Sequence, residues 1–224
     1  MRNYEYLTPA EIMDVLFDLE GEFRGLKRTL ELAFYDHAEE DTVSLARIRE
    51  LREELQVVRD QLYQAGGLYT VPESERRARA FTRNMSALKR ITYEEKMYFD
   101  YESNFRCIVE LSEDLSATFE RFGQSSDGKG IRSYWLLDDE GQAHTKASFL
   151  AALRELHIGE WRESYGDNVL ICDGINWELR FDYEHGLSSV EISGMFSMPY
   201  NYRDWYRLLG LRIPMENQGL EAWD

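Results

Sequence analysis

The stretch that decides the fold is 169–202, VLICDGINWELRFDYEHGLSSVEISGMFSMPYNY. In its middle Trp177, Leu179, Phe181 and Tyr183 alternate with Glu178, Arg180 and Asp182. A period of two sends successive side chains to opposite faces, so this segment predicts a strand with one buried face. Residues 169–172 and 190–196 read as its neighbours, across the turns Asp173-Gly174 and Glu184-His185-Gly186. After Pro199, Asn201 stands where it can cap a last helix carrying Trp205, Leu208 and Leu209.

Working back from this stretch, 131–138 (IRSYWLLD) predicts a strand and 139–142 a turn. A helix starting near Thr145 carries Phe149, Leu150, Leu153 and Leu156 and stops before Gly159. Residues 160–165 alternate as a short strand with Trp161 inward. The order β-α-β-β-β-β-α, with short turns between strands, predicts a small antiparallel sheet with two helices, an α+β domain over 131–213. Residues 214–224 form a tail. Upstream, 124–130 is rich in glycine and serine and lacks any apolar side chain, which predicts a linker.

The front part, 1–123, reads as helical with coiled-coil character. Thr8-Pro9-Ala10-Glu11 combines a capping-box spacing with proline at the first helical position. Ile12, Leu16, Leu19, Phe23, Leu26, Leu30 and Ala33 follow at alternating steps of four and three, a heptad seam. A second seam, Ile48, Leu51, Leu55, Val58 and Leu62, lies in a helix over 42–65 that Gly66-Gly67 stops. The pair predicts a helical hairpin. A further helix starts at Pro72 with Ala78, Phe81, Met85 and Leu88 on one face. It either restarts near Thr92 or continues to Phe122 through Tyr98, Tyr101, Phe105, Ile108, Leu115 and Phe119.

The chain carries 42 acidic and 26 basic residues, a net charge of −16. The charge divides evenly at residue 123, with 17 basic against 25 acidic residues before it and 9 against 17 after it. Generic nucleic-acid binding needs a cationic face, so it is disfavoured everywhere except at one arginine cluster. A basic protein partner fits better. The two cysteines, Cys107 and Cys172, have no metal-ligand neighbour at short spacing, which predicts a reduced, cytoplasmic protein. The N-terminal residues lack an apolar signal core, and the apolar runs are too short to span a bilayer.

Catalytic chemistry finds little support. His37, His144, His157 and His185 form no short pair with each other or with cysteine, so no metal site and no cofactor are expected. Asp173 with Glu178 and Arg180 has the outline of a metal-dependent nuclease, but arginine cannot surrender a proton as lysine can. Cys172 with His185 is a second, thiol-based candidate. Phosphate-binding glycine loops and a G-x-S-x-G elbow are absent. For interaction, Arg76, Arg79, Arg83 and Arg90 fall near one face of the predicted third helix. Phe196, Met198 and Tyr200 crowd the last loop as a candidate exposed patch. The leading expectation is a non-enzymatic interaction, accessory or inhibitor protein of a bacterium or phage, with a helical docking domain and an acidic surface. A hydrolase sited on the C-terminal sheet and a structural assembly protein using its helices to oligomerise are the alternatives.

The sequence from Cys172 to Leu179, followed by that from Gly194 to Tyr202, resembles an uncharacterised bacterial α+β domain. That group shows a D-G-x-x-W-x-L hairpin and then a G-x-x-x-x-P-x-N-[FY] entry to a last helix. Ser197-Met198 stands here in place of its usual Ala-Tyr pair. The resemblance implies a fold and carries no activity.

Overall fold

In the computed structural model, residues 4, 6–32, 42–97, 104–112, 115–122, 130–166, 175–195 and 197–211 are described. The predicted strand at 169–172, its turn at Asp173, the linker up to Lys129 and the tail lie outside them. The chain forms two compact units, Met1–Glu73 and Ser74–Asp224. Helices come first and a sheet with helices follows, an α+β architecture.

The first unit is the predicted hairpin. Helix α1 spans Pro9–Leu32 and α2 spans Thr42–Gln64. The capping box is present: the Thr8 amide donates to Glu11 Oε2 at 2.8 Å and the Glu11 amide to Thr8 Oγ1 at 3.4 Å. The Thr8 backbone and hydroxyl together hold the Glu11 carboxyl below its usual range. Leu62 accepts from the Gly67 amide and Tyr63 from that of Gly66, whose φ of 78° explains why glycine ends α2. The core joins Ile12, Leu16 and Leu19 to Leu51, Leu55, Val58 and Leu62. Glu20 pairs with Arg59 and Glu22 with Arg47, so partners on α2 come earlier as those on α1 come later, the signature of antiparallel helices.

The second unit overturns the helical expectation for 92–122. Helix α3 stops at Glu73–Asn84, and three strands follow: β1 (Leu88–Met97), β2 (Phe105–Glu110) and β3 (Ser116–Arg121). The division of the chain therefore falls at Glu73 and not at residue 123. Then come β4 (Ile131–Tyr134), α4 (Lys146–Glu155), β5 (Ser164–Tyr165), β6 (Ile175–Tyr183), β7 (Val190–Met195) and α5 (Tyr202–Leu208). The sheet order is β4-β3-β2-β1-β6-β7-β5. Only β5 on β7 is parallel, so the sheet is mixed where an antiparallel one was expected. Strand β6, the stretch first quoted, sits between β1 and β7 and alternates buried and exposed residues along its length.

One face of this sheet is packed. Ile91 and Tyr93 of β1 lie beside Phe181 and Leu179 of β6. Above them, Phe81 of α3 meets Phe181 edge-on at 4.9 Å, and Trp205 and Tyr206 of α5 meet Tyr93 at 6.0 and 5.9 Å. Helix α4, capped by Thr145 in a reciprocal bond with Ser148, buries Phe149, Leu150 and Leu153. The opposite face carries the charges: Arg90, Glu94, Arg106, Glu120, Glu178 and Arg180.

Candidate interaction surfaces

The nuclease-like residues lie on the charged face. Glu178 is exposed, with Glu94 beside it on β1 and Ser193 on β7. Arg180 donates to Asp182 Oδ1 at 2.8 Å and to Glu191 Oε1 at 3.0 Å. The Asp182 hydrogen bond raises the guanidinium further above its usual value. Partial burial pushes the Asp182 carboxyl up, but Ser189 and Arg180 outweigh this and hold it below its usual range. Arg180 is thus an ion-pair partner on an open strand face. Asp173 and Cys172 lie outside the described residues. His185 sits in a turn at φ 59° with its ring exposed beside Glu184. Among the described residues no group of three His, Cys, Asp or Glu side chains is arranged to hold a metal ion.

The arginine patch does not survive folding as one surface. Arg76, Arg79 and Arg83 are exposed on α3, but the helix ends at Asn84 and Arg90 belongs to β1. Arg90 donates to Glu110 across the strand pair at 2.6 Å, and Arg79 to Glu75 one turn away at 2.5 Å. Sequence spacing suggested a common face only because the helix was extended too far.

The last loop is also corrected. Met198 and Tyr200 are 3% and 7% exposed, so they belong to the core and not to a docking patch; Phe196 lies outside the described residues. Trp177 explains why this loop has its pattern. Its indole donates to the Ser197 carbonyl at 2.9 Å and packs against Gly194, where an added Cβ would stand 2.3 Å from Nε1. Asn201 makes no side-chain cap to α5. It is buried instead, accepting from Trp161 Nε1 at 2.9 Å and donating to the Leu156 carbonyl at 2.8 Å. The tryptophan, glycine and asparagine of the motif are therefore packing and hydrogen-bonding residues.

A buried polar cluster went unread in the sequence. Glu95 points inward from β1 and is 3% exposed. Its Oε2 accepts from Tyr93 at 2.9 Å and from Tyr206, and the two phenol oxygens are 3.0 Å apart. Burial raises the carboxyl pKa; the two tyrosine hydrogen bonds oppose that shift without cancelling it. Burial also lifts both phenols well above their ordinary values, so neither ionises near neutrality. Beside them, burial pushes the Cys107 thiol up to about 11, against the hydroxyl of Tyr134. The hydrogen bonds among Tyr93, Glu95 and Tyr206 tie β1 to α5 through buried side chains. A shallow groove of about 280 Å³ lies elsewhere, lined by Phe81, Ile158, Trp161, Val190 and Ile192 and bridged by Arg77 to Glu163 at 2.6 Å.

Several large apolar side chains among the described residues are exposed. Strand β4 ends the sheet, and its outer edge has no neighbour among the described residues. Ile131 of β4 is 56% exposed, and Trp135 and Leu137, just past its end, are 70% and 49% exposed. Arg121 donates to the Gly130 carbonyl, and by alternation the backbone groups of Ile131 and Ser133 face away from β3. On the hairpin, Phe17 of α1 is 58% exposed. No protein-family model, curated protein or solved structure matches the chain. No helix among the described residues is long and apolar enough to cross a membrane.

Proposed function

We propose that this is a non-enzymatic protein-interaction protein, acting as an accessory factor or inhibitor through its helical hairpin and a second recognition surface on the sheet. The observation that carries the reading is the outer edge of β4, which no described strand covers, together with the exposed Trp135 just past its end. Trp135 is 70% exposed, whereas Trp161, Trp177 and Trp205 are each 2% exposed. Natural sheets guard their edges with charge, proline or a covering element, and an apolar edge left open invites an added strand. The proposed partner is a basic protein offering an extended segment. The Asp138-Asp139-Glu140 turn just beyond β4 and the net charge of −16 favour cationic side chains. A cytoplasmic location belongs to the same reading, supported by a sequence with only two cysteines, of which Cys107 is buried and free. The solvated positions of Glu178 and Arg180 on an open strand face make the hydrolase reading the weaker one.

A photo-crosslinking residue at Trp135 tests the proposal in source-cell lysate. The expected result is one dominant protein adduct, lost in high salt and missing when the crosslinker is placed at exposed Gln56. Equal labelling from both positions would end the docking-edge reading.

A further inference from the structure

The outward face of α1, away from its heptad seam, has an order of its own. Phe17, Gly21 and Gly25 follow one another at helical spacing, and all three are exposed. Nothing stands within 4 Å of where a Cβ would be at either glycine. Each glycine costs a helix interior roughly 0.5–1 kcal/mol relative to alanine, and neither is repaid by contacts within the described chain. On the same face lie Asp14 and Asp18 toward the N-terminus and Arg24 and Arg28 toward the C-terminus. All four are exposed, and none has an ion pair among the described residues.

This arrangement is symmetric about Gly21. We propose that α1 pairs antiparallel with α1 of a second copy of this chain, on a two-fold axis through Gly21. In that register Phe17 lies opposite the partner's Gly25, and the absent side chain leaves room for the ring. Asp18 lies opposite the partner's Arg24, and Asp14 opposite the partner's Arg28. The two Gly21 residues meet on the axis, where they let the backbones approach closely. An isologous interface must be complementary to itself, and here both its shape and its four charge pairs are. A basic partner helix would oppose Asp14 and Asp18 but meet Arg24 and Arg28 with like charge, which is why a second copy fits this face better. The proposal stands on α1 alone and does not depend on the β4 edge.

Charge exchange between two variants tests it. Asp14→Arg/Asp18→Arg leaves four cations on the face, and Arg24→Asp/Arg28→Asp leaves four anions. All four sites are exposed, so both variants should fold, which far-UV circular dichroism checks. In sedimentation equilibrium the wild-type chain should approach twice its 26.4 kDa mass as concentration rises. Each variant alone should stay at the monomer mass, and an equimolar mixture should recover the dimer. A wild-type chain that is monomeric at millimolar concentration overturns the proposal. So does a dimer that survives in both variants alone, because another face would then hold it. Neither result bears on crosslinking at Trp135.

Discussion

The hairpin and the sheet unit bury their side chains by opposite rules. The hairpin core is mainly aliphatic, Tyr4 aside, and ion pairs such as Arg47–Glu22 at 2.7 Å lie on its surface with both side chains a third or more exposed. The sheet unit fills its core with tyrosine and tryptophan, whose polar atoms need partners once buried. Glu95, Asn201 and the Ser197 carbonyl supply many of them. An aliphatic core depends mostly on volume, but a core built from amphipathic rings depends on each hydrogen bond being made. The difference predicts that single polar changes damage the sheet unit and barely touch the hairpin.

The sharpest break would come at Glu95. Glu95→Ala leaves the two buried phenols only each other to bond, which strands one hydroxyl proton at about 1–3 kcal/mol, and it opens a void, so a loss of about 4 kcal/mol is expected. All five tryptophans lie after residue 134, so denaturation followed by their fluorescence reads this unit. A loss below about 1 kcal/mol would put the cluster outside the unit's stability. Gly194→Ala comes next, at about 3 kcal/mol, because its Cβ would strike the Trp177 indole. Retention of the wild-type midpoint would mean that the indole moves freely. Asn201→Ala should cost about 2 kcal/mol by orphaning Trp161 Nε1 and the Leu156 carbonyl. The hairpin counterpart, Arg47→Ala, should cost under about 1 kcal/mol, as exposed pairs do. If its loss matches that of Asn201→Ala, the contrast between the units fails.

Glu95 also has a pH signature. Burial holds its folded pKa above the ordinary 4.5. Between the unfolded and folded values the native state therefore binds the extra proton. This contribution is full below the unfolded pKa and is lost as pH rises through the folded one. Carboxylates held low, such as Glu11 and Asp182, act in the opposite sense and lose their contribution on acidification. Glu95→Gln removes only the first effect. Its stability relative to wild type should thus improve as pH rises above about 4.5, the ordinary carboxylate value, toward neutrality. A pH-independent difference between the two would show that the carboxyl does not titrate within that window.

Both seams of the hairpin were legible because helical burial repeats locally. Ile12, Leu16 and Leu19, and the α2 set from Ile48 to Leu62, are buried as their spacing predicts. Strands β1–β3 were misread for a specific reason. Ile91 and Tyr93 begin a period of two, but its next inward member is Glu95, a carboxylate that looks like a surface residue. Phe105, Ile108, Leu115 and Phe119 also satisfy helical spacing by accident. Phe17 was passed over because it lies off the seam, although an aromatic residue four positions before a helical glycine was there to be seen.

What the sequence determined by itself is therefore what neighbours in the chain decide. Those features are the caps at Thr8 and Thr145, the stop at Gly66, the heptad seams, and the alternation of β6 from Trp177 to Tyr183. The tertiary structure alone decided that Leu88–Met97, Phe105–Glu110 and Ser116–Arg121 pair as strands, that Met198 and Tyr200 turn inward, and that Asn201 holds Trp161 and not a helix end. The physical reason is the same in each case. A helix satisfies its backbone within four residues, but β1 finds its ladder partner at Phe181, and Glu95 its donor at Tyr206, only after the far part of the chain has come back.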